Sequence, residues 1–338
     1  GALEHSYCSF YFLPEYDDYN QLKEIISSVA AHEFLHILTP LNIHSKEIEN
    51  FDFRNPKMSK HLWLYEGVTE YFSYLIQIQS GLMDYSTFLD EWRGKIVSDL
   101  AYKPISFTVM SERIVEPKYQ KMYLNVYAKG ALIGLMLDLR LNELSGGKQS
   151  LKSVMMALSQ KYGPSKPFDD DQFIQEITAM TYPEIGTFFQ KYVIGDAPLP
   201  YKEYLEKIGW EYLPEANVKV YNYGKVAIGY DPELEIFYVR YAKENVFGLR
   251  EDDILKKVNG QTLTLANAER LLIDFQNAES PAEITIHFQR SDTDMEVSAK
   301  PQVLLQKQKH VLREIPNISV NQTQLRVMLF GLNAFPKQ

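Results

Sequence analysis

One cysteine in 338 residues, Cys8, leaves no internal disulfide framework to hold a fold together. That suits the cytoplasm and equally the periplasm, where disulfides are permitted but not required. Long apolar runs are missing too: the longest stretch, GALIGLML, is too short to span a bilayer. Positive charge is in deficit, with a formal net charge of −9, which argues against a nucleic-acid or anionic-membrane surface. Tryptophan is sparse at 3 while tyrosine reaches 23, a supply suited to aromatic-lined clefts or to amphipathic core edges. No repeat, low-complexity segment or signal peptide is visible. The opening GALEHSYCSFYFLP reads as a strand already under way, so an upstream segment is expected.

What is present is ordinary for a globular protein, 45% apolar and 23% charged residues, with length for about two domains. Residues 1–13 read as one β-strand ended by Pro14. QLKEIISSVAAHEFLHILTP then carries Leu22, Ile25, Ile26, Val29 and Ala30 at helical spacing, and Pro40 closes it. A polar loop leads to a second helix, KHLWLYEGVTEYFSYLIQIQSG, stopped by Gly81. Further helices are expected at about 85–100, 122–145, 149–162, 170–179, 183–193 and 201–208. From about residue 213 the texture changes to short β runs (KVAIGY, EIFYVR, EITIHFQR, MEVSAK) around one helix, LANAERLLIDFQ. The expectation is therefore a multidomain α+β chain. Residues 1–212 form a mainly helical domain, 213–302 a β-rich module, and 303–338 a tail with a short helix at TQLRVMLFGL.

The strongest local signal is HEFLH, His32 to His36, expected within the first helix. Residues four apart on a helix differ by about 40° in direction, so both imidazoles can reach one metal ion. Glu33 points to another side of that ion, where it could take a proton from bound water, which is the zincin arrangement. Zinc needs a third protein ligand, and open catalytic sites commonly use His₂Glu. Glu66, among packed apolar neighbours in LWLYEGVTEYF, supplies it. Glu70, one turn on, can hydrogen-bond a ligand histidine and fix its tautomer. His44 is read as a loop histidine. One Zn²⁺ per chain is expected.

Together HEFLH, the gap of 29 residues to Glu66, and LWLYEGVTEYFSYL resemble the bacterial glycyl aminopeptidase family of gluzincins, whose members carry a PDZ domain. The likeness continues through VYAKGALIGLMLDL and FFQKYVIGDAPLPYKEYLEKIGW and so covers most of residues 1–210. It implies a thermolysin-like catalytic domain and peptide substrates with a small first residue, Gly or Ala. Where the family usually has Trp-Asn and a basic Arg-Ile-Arg-Pro-like run after the second histidine, this chain reads ILTPLNIHSKEI. That departure bears on substrate preference and not on the metal.

The resemblance also assigns roles that spacing alone does not. A Tyr-x-Lys-Gly motif in related zinc aminopeptidases supplies a hydroxyl to the developing oxyanion, and here it falls on Tyr127, with Tyr123 as competitor. A Gly-x-Met-Glu-Asn motif that grips the substrate's α-amine corresponds to GALEH, hence Glu4. FGLREDDILKKVNGQTL resembles the PDZ pattern, with Asp252 where a glycine would stand and AIGYDPE as the nearest candidate carboxylate loop. Such a module binds peptides by strand addition or packs intramolecularly. The sequence thus implies a zinc aminopeptidase. A zinc endopeptidase without an amine anchor and an inactive PDZ-type peptide-binding protein are the alternatives.

Overall fold

A computed structural model describes residues 1–15, 19–272 and 281–331. The chain divides into two compact units, residues 1–214 with 310–338, and residues 215–309. The tail expected at 303–338 is therefore split, since its last part returns to the first unit. Packing explains the return: the final helix, Val320–Phe330, stacks Phe330 on Trp210 at 5.5 Å and buries Leu325 and Leu329.

The first unit opens with a hairpin, β1 (Ala2–Glu4) and β2 (Ser9–Tyr11), instead of the single strand expected over 1–13. A lone strand of that length leaves both edges without partners. Folding back at His5–Cys8 pairs Leu3 with Phe10 and Glu4 with Ser9. The following helix, α1 (Tyr19–Leu35), ends earlier than Pro40 alone would suggest. Before the proline is reached the chain tightens into i→i−3 turns, with the N–H of His36 donating to the Glu33 carbonyl and that of Ile37 to Phe34, and the Leu41 N–H donates to the His36 carbonyl.

The second expected helix is divided. A π-helical stretch, Trp63–Val68, runs into α2 (Thr69–Ser80), and Gly81 ends it in the left-handed region at φ 74°. Then come α3 (Tyr85–Leu100) and α4 (Tyr123–Ser145), the central helix, buried along almost all of Asn125–Asn142. Its Asp138 accepts hydrogen bonds from the Tyr71 hydroxyl, the Asn142 amide and the Leu151 N–H, which ties three helices at one buried carboxylate. The later helices, Leu151–Lys161, Phe173–Met180, Pro183–Phe189 and Tyr201–Glu206, lie within a few residues of expectation.

Gly67 and Gly130 let the π-helical stretch and α4 touch backbone to backbone. A Cβ built on Gly67 would stand 2.4 Å from the Gly130 backbone, and one on Gly130 would stand 2.6 Å from the Gly67 Cα. No side chain fits either position without moving a helix.

In the second unit the strands follow the antiparallel order β4 (Lys225–Asp231), β5 (Ile236–Lys243), β6 (Ile254–Val258), β8 (Ile284–Arg290), β9 (Thr293–Ala299), with β7 (Gln261–Thr262) on β6. Phe237, Val239, Leu255, Val258, Ile286 and Phe288 form its core. Asp252 holds φ 68°, so the position where the PDZ pattern has glycine keeps a glycine-like backbone. AIGYDPE is strand β4 and its turn, with the N–H groups of Glu233 and Leu234 already donated to Asp231, and is not an open anion-binding loop. The helix expected at LANAERLLIDFQ runs Leu265–Leu271, and residues 273–276 lie outside the described residues. Two long strands absent from the expectation, β3 (Trp210–Asn222) and β10 (Gln302–Glu314), pair with each other.

Candidate metal centre

α1 presents His32 and Glu33 near its end, the turn after it presents His36, and the π-helical stretch faces them with Glu66. The imidazoles meet edge to face at 4.8 Å. His32 Nε2 lies 3.3 Å and His36 Nε2 lies 3.7 Å from Glu66 Oε2. Two donors about 2.05 Å from a tetrahedral ion stand about 3.3 Å apart, so these spacings are those of ligands sharing one ion.

The other ring nitrogens are occupied. His36 Nδ1 is 2.9 Å from the Thr39 carbonyl, and His32 Nδ1 is 2.7 Å from Glu70 Oε2. Both partners accept from Nδ1–H, which turns each Nε2 towards the centre, where a bound ion would replace the Nε2 proton that His32 shares with Glu66. Glu70 is held in turn by Lys95, whose Nζ donates to Oε1 at 2.6 Å and lies over the Tyr74 ring. Burial pushes the Glu70 carboxyl up, but the His32 and Lys95 contacts outweigh it and hold it at about 2. Burial likewise pulls His32 down, yet bonds to Glu66 and Glu70 raise it to about 9.

Glu33 is buried, and its Oε2 finds no hydrogen-bond partner among the described residues. An orphaned carboxylate oxygen is costly unless a ligand or water completes it. Burial raises the Glu33 carboxyl above its usual range, with the histidines pulling it back and Glu4 adding to the rise. The donor set His₂Glu, the directed Nε2 atoms and the orphaned Glu33 oxygen all fit a zinc ion.

The remaining candidates line the same cavity of about 480 Å³. Tyr127 comes from the first turns of α4, its ring 5.7 Å from that of His32, and its hydroxyl 3.4 Å from that of Tyr123. Burial, with the Glu66 charge, holds the Tyr127 phenol well above its ordinary range, so it stays a donor. Glu4 arrives on β1, with a carboxylate oxygen within 4.8 Å of donor atoms of Glu33 and His36. His44 lies outside this group, its Nδ1 donating to the Pro40 carbonyl at 3.0 Å. All seven expected residues thus converge on one cavity.

Two features escaped the sequence reading. Lys95 left a legible trace: Phe88, Trp92 and Ile96 mark the buried stripe of α3, and Lys95 sits on it. A cation on an apolar stripe must have a partner. The Gly67–Gly130 contact left none, because touching glycines have no signature in a single sequence.

Residues 26–133, which hold every one of these side chains but Glu4, match the family model of the M61 glycyl aminopeptidases. The resemblance drawn from the motifs is borne out over that segment. The fold resembles the crystal structure of an aminopeptidase N family protein from Idiomarina loihiensis, at TM-score 0.58 and 22% identity over 97% of this chain. This chain spans 60% of the length of that structure. No curated protein matches.

Proposed function

We propose that this M61-type peptidase is a zinc-dependent aminopeptidase acting on peptides with small N-terminal residues. The observation that carries the reading is the convergence of His32 Nε2 and His36 Nε2 on Glu66, with both Nδ1 atoms engaged elsewhere. The gluzincin arrangement of the helical unit and a PDZ-type architecture for residues 215–309 belong to the same reading.

His32, His36 and Glu66 hold the ion. When bound, zinc acidifies water and polarises the scissile carbonyl. Glu33 takes the proton from the attacking water as the C–O bond forms, then delivers it to the leaving amine as the C–N bond breaks. Its unpartnered oxygen and raised proton affinity suit both halves of that cycle. Tyr127 donates its hydroxyl to the carbonyl oxygen as negative charge grows there. Glu4 pairs with the substrate's α-ammonium, which sets the cleavage point one residue from the chain end. Glu70 and Lys95 hold the His32 ring in the tautomer that faces the ion.

Comparing a free and an N-acetylated small-residue peptide tests the anchor. The wild type should prefer the free amine, and Glu4→Ala should erase most of that preference. An unchanged preference removes Glu4 from the role, and equal rates on both substrates make the protein an endopeptidase. Absence of zinc after purification at neutral pH would instead favour a peptide-binding role.

A further inference from the structure

Tyr127 reaches the cavity from the first turns of α4, a helix that starts without a side-chain cap. Met122 precedes it with no side-chain hydrogen bond to the free N–H groups, and the first two residues, Tyr123 and Leu124, are exposed. What holds this end lies on its other side. Residues two apart on a helix point about 200° apart, so Asn125 and Lys129 face away from the Tyr123–Tyr127 side that lines the cavity. Both are buried.

Asn125 donates its side-chain amide to Asp99 Oδ1 at 3.1 Å, and the Tyr201 hydroxyl donates to Asp99 Oδ2. Asp99 lies in the last turn of α3 and Tyr201 opens the helix Tyr201–Glu206, so one carboxylate joins three elements. Lys129 donates to the Ile105 carbonyl at 3.2 Å. Burial pulls its ammonium below the usual lysine range, and the charge of Asp99, followed by that of Asp196, opposes the pull. Asp99 therefore binds one inward residue of this helix end directly and helps keep the other charged.

We propose that Asp99 is a positioning residue for Tyr127: through Asn125 and Lys129 it fixes the uncapped end of α4, and with it the place of the Tyr127 hydroxyl beside His32. The catalytic weight of that placement rests on the aminopeptidase reading; the placement itself does not. A donor that must meet a growing oxyanion acts only in the transition state, so its displacement falls on kcat and spares KM. Misplacement by about 1 Å costs about 10²-fold.

The test compares Asp99→Ala, Asp99→Asn, Tyr127→Phe and the double variant Asp99→Ala with Tyr127→Phe, each in the full chain. On a peptide with a small free N-terminal residue, Tyr127→Phe should lower kcat about 10²–10³-fold. Asp99→Ala should lower it about 10²-fold at unchanged KM and zinc content. Asp99→Asn, which keeps an acceptor, should recover part of the loss. Beside Tyr127→Phe, Asp99→Ala should bring no further loss, because both act on one group. A wild-type kcat in Asp99→Ala, or its full additional loss in the double variant, overturns the proposal. Fluorotyrosine placed at Tyr127 gives a readout without turnover. Its fluorine resonance should shift or broaden with Asp99→Ala and return towards the wild type with Asp99→Asn, and an unmoved resonance overturns the placement. Where Asp99→Ala fails to fold, Tyr201→Phe, which cuts one bond to the same carboxylate, takes its place in each comparison. A Tyr127→Phe variant with full activity overturns the role proposed for that hydroxyl, while the resonance still decides Asp99.

Discussion

His32 and Glu4 line one cavity but are held in different ways. His32 sits on a helix whose neighbours fix it in sequence: Glu70 holds the ring, Lys95 holds Glu70, and the Tyr74 ring lies beneath Lys95. Glu4 rides on a two-stranded hairpin whose Leu3, Phe10 and Phe12 are 54%, 61% and 76% exposed. The helical wall is over-determined at the histidines, because each imidazole that faces the centre is itself held at Nδ1 by a second group. The hairpin wall depends on its own short ladder and its contact with α1. In the proposed function, metal chemistry falls to the helical wall and recognition of the chain end to the hairpin.

The sharpest way to break that contrast is Glu33→Gln, which removes the proposed base and leaves the proposed ligands in place. Turnover should fall about 10²–10⁴-fold while zinc content stays unchanged, since general-base catalysis is worth that much. Parallel loss of zinc would mean that the wall is less independent than described. Lys95→Met comes next. It should weaken zinc binding about 10–100-fold, as loss of a ligand's outer support does, and Lys95→Arg should restore part of it. An unchanged zinc affinity in Lys95→Met would leave Glu70 self-sufficient.

Gly130→Ala asks whether the wall is a backbone construction. Its new methyl meets Gly67, and overpacking of this kind costs about 1–3 kcal/mol, visible as a lower Tm. An alanine tolerated without loss would refute the contact. The smallest effect is in pH. Metal-free His32 keeps its proton up to about 9, so zinc must displace that proton to bind. Apparent affinity should rise about tenfold per pH unit below that value and flatten above it. A flat profile between neutral pH and 9 would show His32 to be already deprotonated.

The helical wall was legible in the sequence because helical spacing is a local rule. HEFLH, Glu66 and Glu70 each follow from periodicity and burial, and Gly81 marked its helix end correctly. Where the reading failed, a non-local or backbone effect prevailed. The helix gives way to tighter i→i−3 turns before Pro40 is reached, so the second histidine lies beyond the helix proper. The hairpin at His5–Cys8 turns without glycine or proline, which removed the usual signal. Strand β3 contains Pro214, which hides a strand from propensity reasoning, and β10 breaks strict alternation at its polar and apolar runs. Tyr127 and Glu4 came from family resemblance and not from chemistry visible along the chain.

The touching glycines have a consequence for how such a site can change over time. Glu66 adjoins Gly67, and Tyr127 lies one turn before Gly130, so the separation of these two groups is set where main chains meet. Residues elsewhere in the cavity can be exchanged without altering that separation. Substrate preference is then free to diverge among descendants, or under a designer's hand, while the reacting geometry is inherited intact.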